Sequence, residues 1–545
     1  MTAGTTARQW PAPAPAAAEH GGFWRAVLAE WTKFRSVRGL VIGTVVAALA
    51  MLLVGLFAAG SARFTCPGGP GFPTKTGAAC LPRIPRGPGG QAVTDSFYFV
   101  HQPLAANGSI TAAVTSLTGV HAAGNGQTGA GPGGAGPLAG MTKGIVGWAK
   151  AGIIIKTSTS QGTAYAAMMA TGGHGVRMQY DFTQDIAGLA GQVSPSAPRW
   201  LRLTRSGDTI TGYDSADGSR WARVGTVRLT GLPATVQAGL FVTSPVETQT
   251  TSSFGGTTSN GGPSQATGIF GHVSLSGAAP GKAWAGANIG AGRGSPGTGV
   301  GGFHQAGGAI TVTGSGDIAP VVAGPTSYFP TATIEDHLVG TFAGLIAMAV
   351  IAAMFITTEY RRGLIRLTLA ATPRRGEVLA AKAVVVGAVT FAAGLAASVI
   401  AVVAGPRLSR DMGLYVLPVS LPTGLRVIAG TAALLAVAAV FALALGTVLR
   451  RSAVAVTAAI VLLVLPYILG VASVLPAGPA EWLLRVTPAA AFAIQQSVPA
   501  YHQVSGPYGP PVYFPLGPWS GFAVLCGWTA LALGLATYLL RRRDA

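Results

Sequence analysis

The sequence predicts a membrane protein of six transmembrane α-helices, with an all-β sandwich domain inserted after the first helix. Three observations carry that prediction. The 545 residues are 49% hydrophobic and only 10% charged, with a mean hydropathy of +0.48 and a net charge of +19. Six apolar stretches, near 40–60, 338–358, 383–404, 427–449, 453–475 and 520–540, are each long enough to cross a bilayer. Residues 61–336, between the first two, contain no such run and are rich in Gly, Ser, Thr and Pro.

A hydrocarbon core about 30 Å thick takes roughly 20 residues of helix at ~1.5 Å rise each. The interiors of the six stretches lack Asp, Glu, Lys, Arg and His. A soluble chain of this length would divide into several domains with a larger charged share. The expected organisation is a disordered cytosolic tail over 1–22, an interfacial helix over 23–38 and a first span over 39–60. The domain over 61–336 follows, and residues 337–545 hold the other five spans with a cytosolic loop at 359–382.

Orientation follows from the basic residues, which collect on the cytosolic side of short loops. Arg25, Lys33, Arg35 and Arg38 precede the first span, and Arg361, Arg362, Arg366, Arg374, Arg375 and Lys382 separate the second and third. Arg450 and Arg451 lie between the fourth and fifth, and Arg541, Arg542 and Arg543 follow the last. The opposite short loops hold only Arg407, Arg410, Arg426 and Arg485. This pattern places the protein in the cytoplasmic membrane with both termini cytosolic and 61–336 extracellular. The positive charge then speaks for topology and anionic lipid, not nucleic acid. The first span is too long for a cleavable signal and is expected to stay as an anchor.

Within the extracellular stretch, Cys66 and Cys80 bracket "CPGGPGFPTKTGAAC". An oxidising exterior and short spacing favour a disulfide, against the alternative of two free thiols. Cys526 falls in the last span as a small apolar residue. Short strands are expected at "AGIIIK", "AYAAMMA", "GVRMQYDF", "VQAGLFVTS" and "GIFGHVSLSG". "RWLRLTRSGDTITGYDSADGSRWARVGTVRL" alternates with period two, and its "SGD" and "ADG" are hairpin signals. Trp200, Leu203 and Ile210 suit an inward face, and Arg202, Thr204 and Thr209 suit solvent. Many short strands with turns point to an antiparallel sandwich. Its core is expected over about 92–278, with Gly-rich loops at about 122–140 and 251–266.

The segments "DSFYFVHQPLAANGSITAAVTSL", "WAKAGIIIK", "HGVRMQYDF" and "WLRLTRSGDTITGYDSADGSRWARVG" resemble the concanavalin A-like, laminin-G-like jelly rolls appended to bacterial secreted glycosidases. That resemblance implies a jelly-roll-like sandwich and, as one outcome, binding of an extracellular glycan. Trp200, Tyr213 and Trp221 are the candidate sugar-stacking residues; the competing reading puts them in the core. Catalysis by this domain is disfavoured. Glycoside hydrolysis uses two carboxyl groups, and Glu247 is the only glutamate between 61 and 334. Asp208, Asp214 and Asp217 sit at turn positions, and His101, His174, His272 and His304 show no metal-ligand spacing.

The cytosolic side concentrates the charge. In "FWRAVLAEWTKFRSVRG", Trp24, Val27, Leu28, Trp31 and Phe34 recur at helical spacing, with Arg25, Glu30, Lys33 and Arg35 on other faces. An interfacial helix with tryptophan anchors is expected. "TTEYRRGLIRLTLAATPRRGEVLAAK" then places a short amphipathic helix around Leu364–Leu369, which Pro373 breaks, and Arg374–Arg375–Gly376 turns the chain back. The segment either presents an edge to a cytosolic partner or is only a positively charged loop against lipid.

These two segments, with "AEWLLRVTPAAAFAIQQSV" before the last span, resemble the permease subunits of type-two ABC exporters of actinobacterial type. The resemblance implies coupling to a separate cytosolic ABC ATPase, with a second permease subunit (a homo- or heterodimer) as a further partner. On that analogy Glu30, Trp31, Lys33, Arg35, Glu359, Tyr360, Arg361 and Arg362 are the ATPase-coupling candidates. A long extracellular insertion departs from the family's usual short loop.

Energetics agree. Ion-driven carriers place ionisable groups within the membrane, and the six spans lack them. ATP hydrolysis needs a G-x-x-x-x-G-K-[ST] loop, and "SGAAPGKAW" has neither the spacing nor the hydroxyl. No cofactor is expected on this chain; ATP and Mg belong to the partner. Apolar spans favour lipid-like or amphipathic cargo. The competing readings are a membrane-anchored glycan-binding receptor or adhesin, and an ATP-independent channel or flippase.

Overall fold

The structure, a computed structural model, describes residues 22–61, 65–66, 75–76, 84–122, 141–253, 256–278, 283–290, 301–322, 331–364, 374–471, 475–504 and 513–542. Six helical segments among them are long and apolar enough to cross a membrane. Helix α1 (Gly22–Ser36) leads into α2 (Arg38–Ser61), and both precede the β-domain. After it come α3 (Thr341–Arg361), α4 (Arg375–Asp411) and α5 (Leu421–Leu449). Then follow α6 (Ser452–Leu463), α7 (Leu465–Val471), α8 (Ala477–Val486) and α9 (Pro518–Arg542).

Burial divides the bundle into centre and rim. In α5 61% of the spanning window is buried, against 22% in α2. Ile42, Val45, Leu49, Leu53 and Phe57 of α2 are exposed, as an apolar face meant for lipid or a partner helix should be. Helix α4 has 37 residues, about 55 Å of helix, and so overruns the hydrocarbon core at both ends. One expectation needs correction here. The chain does not turn back at Arg374–Gly376, because Arg375 and Gly376 already form the first turn of α4. The fifth span runs where expected, with a one-residue irregularity at Val464, next to Pro466, whose ring nitrogen cannot donate the backbone bond.

The β-domain is a sandwich of two antiparallel sheets. One runs in spatial order Gln184–Ala187, Val176–Tyr180, Tyr165–Thr171, Lys150–Lys156, Val236–Thr243, Phe97–Leu104, Ala285–Ile289. The other runs Ala222–Arg228, Thr209–Ser215, Arg199–Ser206, Asn107–Ala122, Ser264–Ser276, Ala309–Gly314, Gly302–Ala306, with Met141–Lys143 as an eighth strand paired to the end of Asn107–Ala122. Ile153, Ile155, Leu201, Leu203, Ile210 and Leu240 fill the space between them. Each such side chain contributes about 1.5–3 kcal/mol by leaving water.

The sheets differ in what covers their outer faces. In Arg199–Ser206 every second side chain is buried, so the eight-stranded sheet has one wet face. In Lys150–Lys156 every residue is buried, because Phe97, Phe99, Tyr165, Phe182 and Phe241 form a second core behind that sheet. Lys150 Nζ donates to Asp317 at 2.6 Å and Lys156 Nζ to Asp95 at 2.7 Å, tying the covering segments to the sheet.

The domain exceeds its expected limits. Strands Ala285–Ile289, Gly302–Ala306 and Ala309–Gly314 belong to the sandwich, beyond residue 278. The stretch at 251–266 is not a loop: Glu247–Ser253 pairs with Gly256–Gly262, and a long strand starts at Ser264. Residues 123–140 and the Cys66–Cys80 pairing lie outside what the structure describes, as does 365–373 of the expected short helix.

Three contacts seat the sandwich on the helices. Thr331–Ala332 forms a parallel pair with Tyr415–Val416 from the α4–α5 link. Ile84, Val321 and Val322 pack with Leu417 and Val498. Gln503 Nε2 donates to the Phe182 carbonyl at 3.0 Å.

Candidate functional site

The arginine-rich end of the bundle holds a compensated cluster of four charges. Helix α1 puts Glu30 and Lys33 one turn apart; α3 brings Glu359 near its last turn, and α4 brings Lys382 two turns in. Lys382 Nζ donates to Glu30 Oε2 and to Glu359 Oε1, each at 2.6 Å. Lys33 Nζ donates to Glu30 Oε1 at 2.8 Å and approaches Glu359 Oε1 at 3.5 Å. The Lys382 side chain is fully buried, with the Phe355 ring 4.7 Å from its ammonium. A lysine this deep is stable only when paired and bonded. Burial alone would lower the pKa of Lys33, but the bond to Glu30 and the charge of Glu359 outweigh it and raise it.

The cluster joins three helices by their side chains. Phe34 of α1 meets Phe355 of α3 edge-on at 5.8 Å beside it. Arg450, at the end of α5, takes φ 58°, a left-handed conformation uncommon for a side chain of its size. From there its guanidinium lies 5.2 Å from the Tyr360 ring, so the α5–α6 turn is attached to the end of α3.

The eight coupling candidates thus divide in two. Glu30, Lys33, Glu359 and Tyr360 are packed into the junction, whereas Trp31, Arg35, Arg361 and Arg362 are exposed around it. Glu30 corrects the expected face of α1: it is buried with Phe34, and Trp24, Leu28 and Trp31 point outward. The residue missed was Lys382, read as the end of a loop. A single lysine inside "EVLAAKAVVVG" was the available signal, since the run's one carboxylate, Glu377, lies five residues away on another helix face.

The sandwich end of the bundle is built differently. The one-turn segment Glu335–Leu338 enters α3, and its backbone touches α2 so closely that side chains are excluded. A Cβ on Gly55 would lie 2.3 Å from the His337 carbonyl, and one on Gly340 1.9 Å from that of Met51. His337 Nε2 pairs with Ser409 Oγ at 2.8 Å, while His337 Nδ1 has no partner. Glu335 accepts from the Ser497 N–H at 3.2 Å and from its hydroxyl. A cavity of about 470 Å³ opens here, between these residues and an aromatic wall of Phe342, Tyr467, Phe492 and Phe514. The spans' interiors are uncharged as expected, but the expectation of no ionisable groups is corrected at this end: Glu335, Asp336 and His337 begin the second span.

The three sugar-stacking candidates lie on the wet face of the eight-stranded sheet. Trp200 shares that face with Arg202, not with Leu203, because positions three apart on a strand point opposite ways. Its ring stacks on His272 at 5.0 Å, and a Cβ on Gly218 would come 2.7 Å from it. The Trp221 ring is covered by Arg202 at 3.9 Å. Tyr213 pairs with Arg202 across the strands. Two of the three rings therefore have a face occupied by the protein itself. Asp208, Asp214 and Asp217 accept backbone N–H groups of turns and loops. Among the described residues no group of three His, Cys, Asp or Glu side chains could hold a metal.

No curated protein matches the chain. Solved structures similar to it include scytalido-glutamic peptidase with a transition state analog inhibitor, at 8% identity and a TM-score of 0.27, over 41% of this chain and 98% of that one. A functionally unknown protein from Saccharomyces cerevisiae aligns at 12% identity and a TM-score of 0.19, over 37% of this chain and 84% of that one. Residues 179–545 match the family described as ABC-2 family transporter protein. That match takes in the five spans after the sandwich and two of the four charges of the junction, Glu359 and Lys382, and it makes this chain a member of the ABC-2 transporter family, a membrane permease of an ABC transporter.

Proposed function

We propose that the chain is driven by a separate cytosolic ABC ATPase, which pushes on the arginine-rich end and moves a lipid-like or amphipathic cargo outward. On this reading that end faces the cytosol, the sandwich is extracellular, and a second permease subunit completes the membrane assembly against the exposed apolar helix faces. Nucleotide and Mg belong to the ATPase.

The observation that carries the proposal is the junction at Lys382. A force on α1 is delivered through Glu30 and Lys33 to α3 and α4 at once, because one buried ammonium bridges the carboxylates of Glu30 and Glu359. Trp31, Arg35, Arg361 and Arg362 surround that junction with exposed groups and form the contact surface. Tyr360 passes the displacement to α5 through Arg450.

Purification from membranes in mild detergent should recover an ATP-hydrolysing subunit. Replacing Arg361 and Arg362 with Ala should release it while the permease stays folded. Recovery of the same subunit at the same yield from that variant would refute the assignment of the contact surface. A glycan-binding role for the sandwich would be an addition to transport; six spans exceed what an anchored receptor needs.

A further inference from the structure

We propose that the cavity at the sandwich end binds the ammonium head of a cationic amphipathic molecule, the aromatic wall receiving its apolar body. Calling that molecule cargo rests on the transport reading above; its binding does not.

The volume, about 470 Å³, falls in the range of sites that enclose a drug-sized ligand. Its two sides have different chemistry. On one, Phe342 and Phe492 stack at 4.4 Å with 17° between planes, and Tyr467 lies 4.4 and 4.8 Å from them. Such faces attract cations as well as apolar groups. On the other are the carboxylates of Glu335 and Asp336. Among the described residues no Lys or Arg lines the cavity; Arg426 bonds to the Gln496 carbonyl behind Glu335 and acts on it electrostatically from there, and Arg410 is exposed.

His337 supplies an independent observation. It is 1% exposed and lines the cavity, yet its Nδ1 has no partner. Buried polar atoms are nearly always bonded, so an orphan at a cavity wall marks where a ligand group belongs. Where Nε2 carries the proton and donates it to Ser409, Nδ1 presents a lone pair to which an ammonium N–H can donate while the two carboxylates balance the charge. An anionic head would face two carboxylates and, among the described residues, no base on the wall. The geometry therefore selects the cation.

The test uses the full chain, purified without an ATPase, so that it can succeed or fail independently of coupling. Rhodamine 6G, a fluorescent aromatic cation, is titrated by anisotropy, and anilinonaphthalene sulfonate serves as the anionic counterpart. Saturable binding of the cation is expected, weakened roughly tenfold or more by Glu335→Gln with Asp336→Asn, and by Phe492→Ala. Asp336→Asn alone, at an exposed position and keeping an amide oxygen to accept from Thr333, should weaken it several-fold. Equal binding of the cation by Asp336→Asn and wild type, or tighter binding of the sulfonate than of the cation, would overturn the proposal.

Discussion

The two ends of the helix bundle treat charge in opposite ways. At the arginine-rich end two lysines meet two glutamates, and Lys382 is fully enclosed at bonding distance from both carboxylates. At the sandwich end Glu335, Asp336 and His337 surround a cavity, and a buried imidazole nitrogen is left without a partner. A compensated cluster resists separation, because pulling one charge away exposes the others. A cavity lined by carboxylates, with no base among its described lining residues, gains by closing on a cation. On the proposed reading, the first transmits a displacement between helices as one body and the second changes occupancy.

The contrast predicts a ranking of effects. Lys382→Met leaves Glu30 and Glu359 facing each other in a buried place. It should destabilise the bundle by about 3–5 kcal/mol, the usual consequence of removing one partner of a buried pair. Thermal unfolding in detergent, followed by tryptophan fluorescence, would show it. Adding Glu359→Gln to that variant leaves only Glu30 with Lys33, and most of the lost stability should return. A double variant no more stable than Lys382→Met would mean that charge balance is not what holds the junction.

Smaller effects belong to the wetter parts. Arg202→Ala uncovers Trp221 on the sandwich's exposed face. It should lower that domain's stability by about 0.5–1 kcal/mol, typical of an exposed cation–π contact, without altering transport. Lys33→Ala removes a half-exposed ion pair and should affect stability by only about 0.2–1 kcal/mol. The pKa of Lys33 is raised above its ordinary value of 10.5. Its contribution is therefore complete below pH 10.5 and fades as pH rises through the higher folded value. A pH titration of wild type against Lys33→Ala should show the two converging only in strongly alkaline solution.

Much of this architecture was legible in the sequence, for physical reasons that differ along the chain. Spans announce themselves because lipid forbids charge over about 20 residues, and all six were where the uncharged runs lay. The sandwich was legible in its strands, though its limit was not: "AITVTG" at 309–314 is short and follows a Gly-rich stretch, so nothing local tied it to residues 264–276, with which it pairs. Glu30, Lys33 and Glu359 were picked out by the resemblance to ABC permeases, but their burial was not foreseen. Charge alone cannot tell a solvated face from a buried one, and only the position of Lys382 decides it. The cavity end went unread because "IEDHLVG" sits at a boundary, where ionisable residues ordinarily face water. Trp200 was turned the wrong way by pairing it with Leu203, an odd spacing on a strand.

The account depends on which end of the bundle meets the cytosol, and cysteine labelling in intact cells tests that most directly. Single cysteines are introduced at Arg362, in the basic junction, and at Thr230, exposed on the sandwich, with the parent chain as background for its own three cysteines. A membrane-impermeant maleimide should modify Thr230→Cys in intact cells and Arg362→Cys only after lysis. Labelling of Arg362→Cys from outside, with Thr230→Cys protected, would contradict the account.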